Sequence, residues 1–121
     1  VRLRVWCETL PYDELSALAP VLARHGVDLL LAVRPWQVEA VGEVVRRYQD
    51  AGVFVGLWPM LDDRDGRWAS TATHRAFIGF ADALLARAPS ADELVVDLEP
   101  PIATLTKWKA GRPTRGMTRP P

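Results

Sequence analysis

Asp97 and Glu99 stand two residues apart in the segment Asp92-Glu93-Leu94-Val95-Val96-Asp97-Leu98-Glu99, directly before Pro100-Pro101. On a strand, residues two apart project to one face, roughly 6.6 Å apart along the backbone. Repulsion and partial burial raise the pKa of one member of such a pair, so that a carboxylic acid stays protonated near neutral pH and can donate to a leaving group. The C-terminal end of a parallel strand is also where α/β enzymes build their sites. A purely structural reading competes: Glu99 caps a helix opened by Pro100 or Pro101, and Asp97 pairs with Arg34.

The elements that must position these acids follow from hydrophobic patterning. Leu3 to Cys7 reads as a first strand, and Pro11 to His25 as a helix with Leu15, Leu18 and Leu22 on one face, ending at Gly26. Val27 to Val33 is an apolar run broken only by Asp28, as expected of a parallel strand covered on both faces. Pro35 to Ala51 carries Val38, Val41, Val45 and Tyr48 at helical spacing. Val53 to Leu57 forms a third strand, Ala72 to Ala88 a helix facing inward with Phe77, Phe80, Ala81 and Leu84, and Leu94 to Leu98 a fourth strand. Right-handed crossovers then give an α/β fold: a parallel sheet of four β/α units, half of a TIM (β/α)8 barrel. The alternative is a small open doubly wound sheet.

Either arrangement gathers Glu8, Arg34, Trp36, Trp58, Asp97 and Glu99 at one rim, with Asp62, Asp63, Asp65 and Trp68 in the long third loop. Trp6 is expected to pack inside the sheet. Flat indole rings suit the apolar face of a pyranose. Neither G-x-G-x-x-G nor G-x-x-x-x-G-K-[ST] occurs, which disfavours nucleotide cofactors. With one cysteine and two widely separated histidines, a thiolate or imidazole metal site is not expected. The Asp62-Asp63-Arg64-Asp65-Gly66 run misses calcium-loop spacing and reads as an aspartate-stabilised turn. No cofactor or metal is therefore expected.

Asp92, Asp97 and Glu99 match three of the four acids of the D-x-x-D-x-D-x-E signature, so the segment resembles the fourth barrel strand of chitinase-like family-18 glycoside hydrolases. Val95 holds the remaining acidic position, and Val55-Gly56-Leu57-Trp58-Pro59 lacks that family's S-x-G-G motif on the third strand. The resemblance implies acid-catalysed glycoside hydrolysis, with Glu99 as proton donor and Asp97 orienting the substrate's acetamido group. Their place at the rim, rather than the resemblance, makes Glu8, Arg34, Trp36, Trp58 and Trp68 the expected substrate contacts. The other class of reading is a noncatalytic α/β module that binds a carbohydrate or a protein.

At 121 residues, 49% hydrophobic and 25% charged, the chain has the composition of one globular domain. Its formal net charge of zero hides an asymmetry: residues 107–121 hold five bases and no acid, and residues 1–106 hold ten bases against fifteen acids. The expected organisation is an α/β half-barrel over 1–106 followed by a basic, Pro- and Gly-containing, solvated tail over 107–121. Expected partners are a carbohydrate or another small molecule, without nucleic acid or a transmembrane segment. A homodimer or a missing C-terminal half would complete the barrel.

Overall fold

The computed structural model describes residues 2–111. Strands β1 (Leu3–Cys7), β2 (Val27–Val33), β3 (Val55–Pro59) and β4 (Glu93–Leu94) form one parallel sheet in the order β1-β2-β3-β4. That order contains no reversal, whereas a doubly wound sheet changes direction at a switch point. The sheet is thus wound one way, as in half of a (β/α)8 barrel, and it is open at β1 and at β4.

Winding in one direction gives the sheet two unlike faces. Leu29, Leu31 and Val33 of β2, with Val55 and Leu57 of β3, are buried in one cluster with Val41, Val44, Val45 and Tyr48 of helix α3 (Val38–Asp50). Leu84 of α4 (His74–Arg87) joins them, as do Leu15 of α1 (Tyr12–Ser16) and Ala19 of α2 (Ala19–His25). Each fully buried Leu or Val contributes about 1.5–3 kcal/mol, against roughly 0–1 for a surface ion pair, so this cluster dominates stability. The opposite face, concave in a barrel, is layered. Its lower layer is ionic: Arg2 bonds Asp28 at 2.9 Å, and Arg4 reaches Glu93 at 2.7 and 3.2 Å. Both guanidinium groups lie over the Phe54 ring. The upper layer is aromatic, with Trp6 edge-on to Trp58 at 5.0 Å.

Two expected elements come out differently. The helix read over Pro11–His25 is split, because Pro20 at the start of α2 has no N–H and its ring conflicts with the carbonyl of Ser16. The fourth strand read over Leu94–Leu98 is laddered only at Glu93–Leu94. Val95 N–H still donates to Leu57 O at 2.7 Å, but the next bond of a parallel ladder needs an N–H at position 59, and Pro59 has none. Higher up, the chain pairs with the third loop instead: Ala69 N–H donates to Asp97 O and Glu99 N–H to Ala69 O, each at 3.2 Å.

Helix α5 (Ile102–Lys109) follows. Lys107 and Lys109, read as part of a tail beginning at 107, belong to this helix, and residues 112–121 lie outside the described residues. Among the described residues, no helix is long and apolar enough to cross a membrane.

Candidate functional site

The two carboxylates are held by backbone rather than by side-chain partners. From Ala91 to Glu99, odd-numbered residues are half-buried and even-numbered ones exposed, so Asp97 and Glu99 share a face. Neither structural role anticipated for them is used. Arg34 bonds Asp63 and Leu61 O instead of Asp97, and α5 is entered through Pro101 without a side-chain cap from Glu99. Among the described residues, neither acid makes a side-chain hydrogen bond or ion pair. Leu98 between them faces the helix side of the sheet and is 78% exposed, since no helix covers it among the described residues.

Asp92, the first acid of the signature, has a structural role. Its Oδ2 accepts from Val55 N at 2.8 Å and from Gln49 Nε2 at 3.2 Å, tying the entry of β3 to the end of α3.

The third loop is bound to the rim by one carboxylate. Asp63 receives Nε and Nη2 of Arg67 at 2.7 Å each and both terminal nitrogens of Arg34 at 3.2 Å. These bonds, Arg67 first, hold its pKa down to about 2 against the opposing effect of burial. The bond to Asp63 raises the Arg67 guanidinium, and the Glu8 carboxylate, arriving from the end of β1, adds to that. Arg67 has φ 62°, a left-handed conformation that costs a side-chain-bearing residue about 1–2 kcal/mol. It persists because Leu61 N–H donates to its carbonyl and its guanidinium is gripped as a fork. Asp62 accepts from Arg64 N–H and Gly66 turns the chain at φ 104°, which is the aspartate-stabilised turn read from the sequence.

The tryptophans divide into two groups. Trp58 and Trp68 are half-buried, and their Nε1 atoms are enclosed without a hydrogen-bond partner among the described residues. Trp68 lies under the Arg67 guanidinium at 5.0 Å and directly precedes Ala69, the residue bonded to Asp97 and Glu99. Trp36 is on a 3₁₀ turn (Pro35–Gln37), 66% exposed, with the Arg34 guanidinium over its ring at 5.5 Å. Trp6, expected inside, is 57% exposed and completes the aromatic layer with Trp58. Strand parity contained that signal, since Trp6 is two residues before Glu8 and shares its face. Arg67 was also missed; only its neighbours Asp63 and Trp68 hinted at it.

The structure thus links Glu8, Arg67, Asp63 and Arg34 in one electrostatic network, and Trp68 to the backbone that carries Asp97 and Glu99. A groove of about 1110 Å³ lies elsewhere. It lies on the helix side of β4, between Leu94, Val96 and Leu98 and the α4 residues Phe77, Ile78 and Leu85. Glu99 reaches its lining, but Asp97 and the tryptophans do not. Its apolar walls fit a packing surface better than a sugar site. A scan of protein-family models, a search of curated proteins and a search of solved structures return no match to this chain, so its functional reading rests on the geometry of this rim.

Proposed function

We propose that this chain carries part of the rim of a glycoside-hydrolysing (β/α) barrel, with Glu99 as proton donor and Asp97 as its orienting partner. The observation supporting the reading is that both acids face the same way at the mouth of the sheet, half-buried and without side-chain partners among the described residues, next to the loop that carries Trp68. Structural carboxylates at strand ends are normally bonded, as Asp92 and Asp63 are here.

Glu99 gives its proton to the glycosidic oxygen as the C1–O bond breaks, and the acetamido oxygen of the substrate closes on C1 while Asp97 holds the amide N–H. Water then opens that ring intermediate and returns a proton to Glu99. Trp58 and Trp68 offer ring faces to the sugar, Trp36 an outer platform, and Glu8 and Arg34 polar contacts.

The test is hydrolysis of oligosaccharides of N-acetylated sugars by the parent and by Glu99→Gln. A general acid contributes about 10²–10⁴-fold, so Glu99→Gln is expected to lose that much on oligosaccharides, and less on aryl glycosides whose leaving groups need little protonation. Equal loss on both substrates, or none, removes Glu99 from the role of acid. A parent that binds these sugars without cleaving them identifies a noncatalytic carbohydrate-binding module.

A further inference from the structure

The two open edges of the sheet carry matching rows. On the helix side, Leu3 and Val5 of β1 are exposed, Leu3 to 60%, and so are Leu94, Val96 and Leu98 at the β4 edge. On the concave side, the β1 edge carries Arg2 and Arg4, and the β4 edge carries Glu93. Exposed apolar edge strands invite further strands, and natural proteins pair or cover them.

Barrel geometry determines how such edges could meet. Val5 pairs with Leu29 and Leu29 with Val55; the next residues along, Gly56 and Glu93, are partners, which places Asp92 opposite Val55. In a (β/α)8 barrel a row of this kind, followed once around, returns displaced by about eight residues, so after four strands the displacement is about four. In one direction, Leu3–Cys7 of a second copy would lie against residues 86–90, which are the end of α4 and the turn after it. The other direction sets Leu94 opposite Leu3, Val96 opposite Val5 and Leu98 opposite Cys7. On the concave face it sets Glu93 opposite Arg2. Only this register sets β1 along β4 and the extended chain that continues it, and it matches apolar with apolar, while Glu93 and Arg2 keep their partners Arg4 and Asp28 within one copy.

We propose that a second copy of this chain docks at these edges about a two-fold axis along the barrel, each β1 beside the other's β4, closing an eight-stranded parallel barrel in that register. Each copy then supplies half of the rim around Asp97 and Glu99. The proposal concerns assembly and stands whether or not the rim hydrolyses a sugar.

Cys7 makes the register testable with one substitution. Neighbouring strands are about 4.8 Å apart, within the Cα separations that disulfides span, whereas within one copy residues 7 and 98 lie at opposite edges of a four-stranded sheet. Leu98→Cys changes an exposed side chain, so folding is expected to be unaffected. The chain is expected to sediment at twice 13.5 kDa, and Leu98→Cys, on mild oxidation, to form a disulfide-linked dimer that Cys7→Ser abolishes. Val96→Cys, two residues out of register, is expected to cross-link far less. A monomer in sedimentation overturns the proposal, as it would if the edges belong to other β/α units. A dimer whose cross-linking ignores Cys7 overturns the register.

Discussion

Gly56→Ala is the substitution whose effect the geometry specifies best. Gly56 lies on the concave face of β3, beneath the Trp6–Trp58 pair, where side chains from both neighbouring strands close over it. A Cβ at this position would stand 2.7 Å from Leu30 Cδ2, 3.2 Å from Glu93 Cγ and 3.3 Å from Glu93 Oε1. Leu30 is only 1% exposed, so its methyl group has no open space to move into. Glu93 can move only by disturbing its fork with Arg4. Overpacking of this kind costs about 1–3 kcal/mol. Replacing glycine by alanine in a strand returns roughly 0.5–1 kcal/mol by restricting the unfolded chain. The net expectation is a destabilisation of about 1–2 kcal/mol. With a urea slope of about 1–3 kcal/mol/M, the unfolding midpoint should fall by roughly 0.3–2 M.

A double-mutant cycle with Leu30→Ala isolates the cause. Leu30→Ala alone should cost about 2–5 kcal/mol as a cavity. Gly56→Ala in that background should cost nothing or be stabilising, because the obstructing methyl group is gone and the added one fills part of the space. Strict additivity of the two substitutions, or a midpoint unchanged by Gly56→Ala, would refute the packing described for the concave face.

Two further outcomes concern the third loop. Asp63 has its pKa lowered from 3.8 to about 2 by Arg67 and Arg34, so its contribution is fully present above pH 3.8 and is lost as pH falls through about 2. Because the side chain is half exposed, solvent screening limits that contribution to about 0.5 kcal/mol; Asp63→Asn should be less stable than the parent by about that amount above pH 4, and the difference should vanish as pH falls through about 2, so a difference that does not shrink on acidification would contradict it. Gly66→Ala combines a φ of 104° with a Cβ 2.5 Å from Thr73 Cγ2, so it should cost about 1–3 kcal/mol and speed limited proteolysis between residues 62 and 71; unchanged cleavage would show that the turn is not held as described.

Sequence patterning made the alternation of strands and helices legible, because the β2 run and the α3 stripe each satisfy one simple period. The placing of Glu8, Trp58, Asp97 and Glu99 at one rim followed from the same reading, since the C-terminal ends of parallel strands must lie together. The break at Pro20 was also written locally, in the missing donor and the ring of one residue. The short β4 was not, because the donor lacking at Pro59 matters only when Val95 is its ladder neighbour.

What the chain determined by itself is therefore the order of its elements and the acids and tryptophans available at their ends, since local periodicity and turn chemistry suffice for both. The tertiary structure alone decided which acids are occupied. Asp92 and Asp63 are bonded because Val55 and Arg34 come from distant parts of the chain, with Arg67 added from the loop itself, and among the described residues Asp97 with Glu99 is held through the backbone of Ala69. It also decided that Trp6 faces the site side and that Leu94, Val96 and Leu98 stand uncovered, because whether a strand face is buried depends on what packs against it and not on its own sequence.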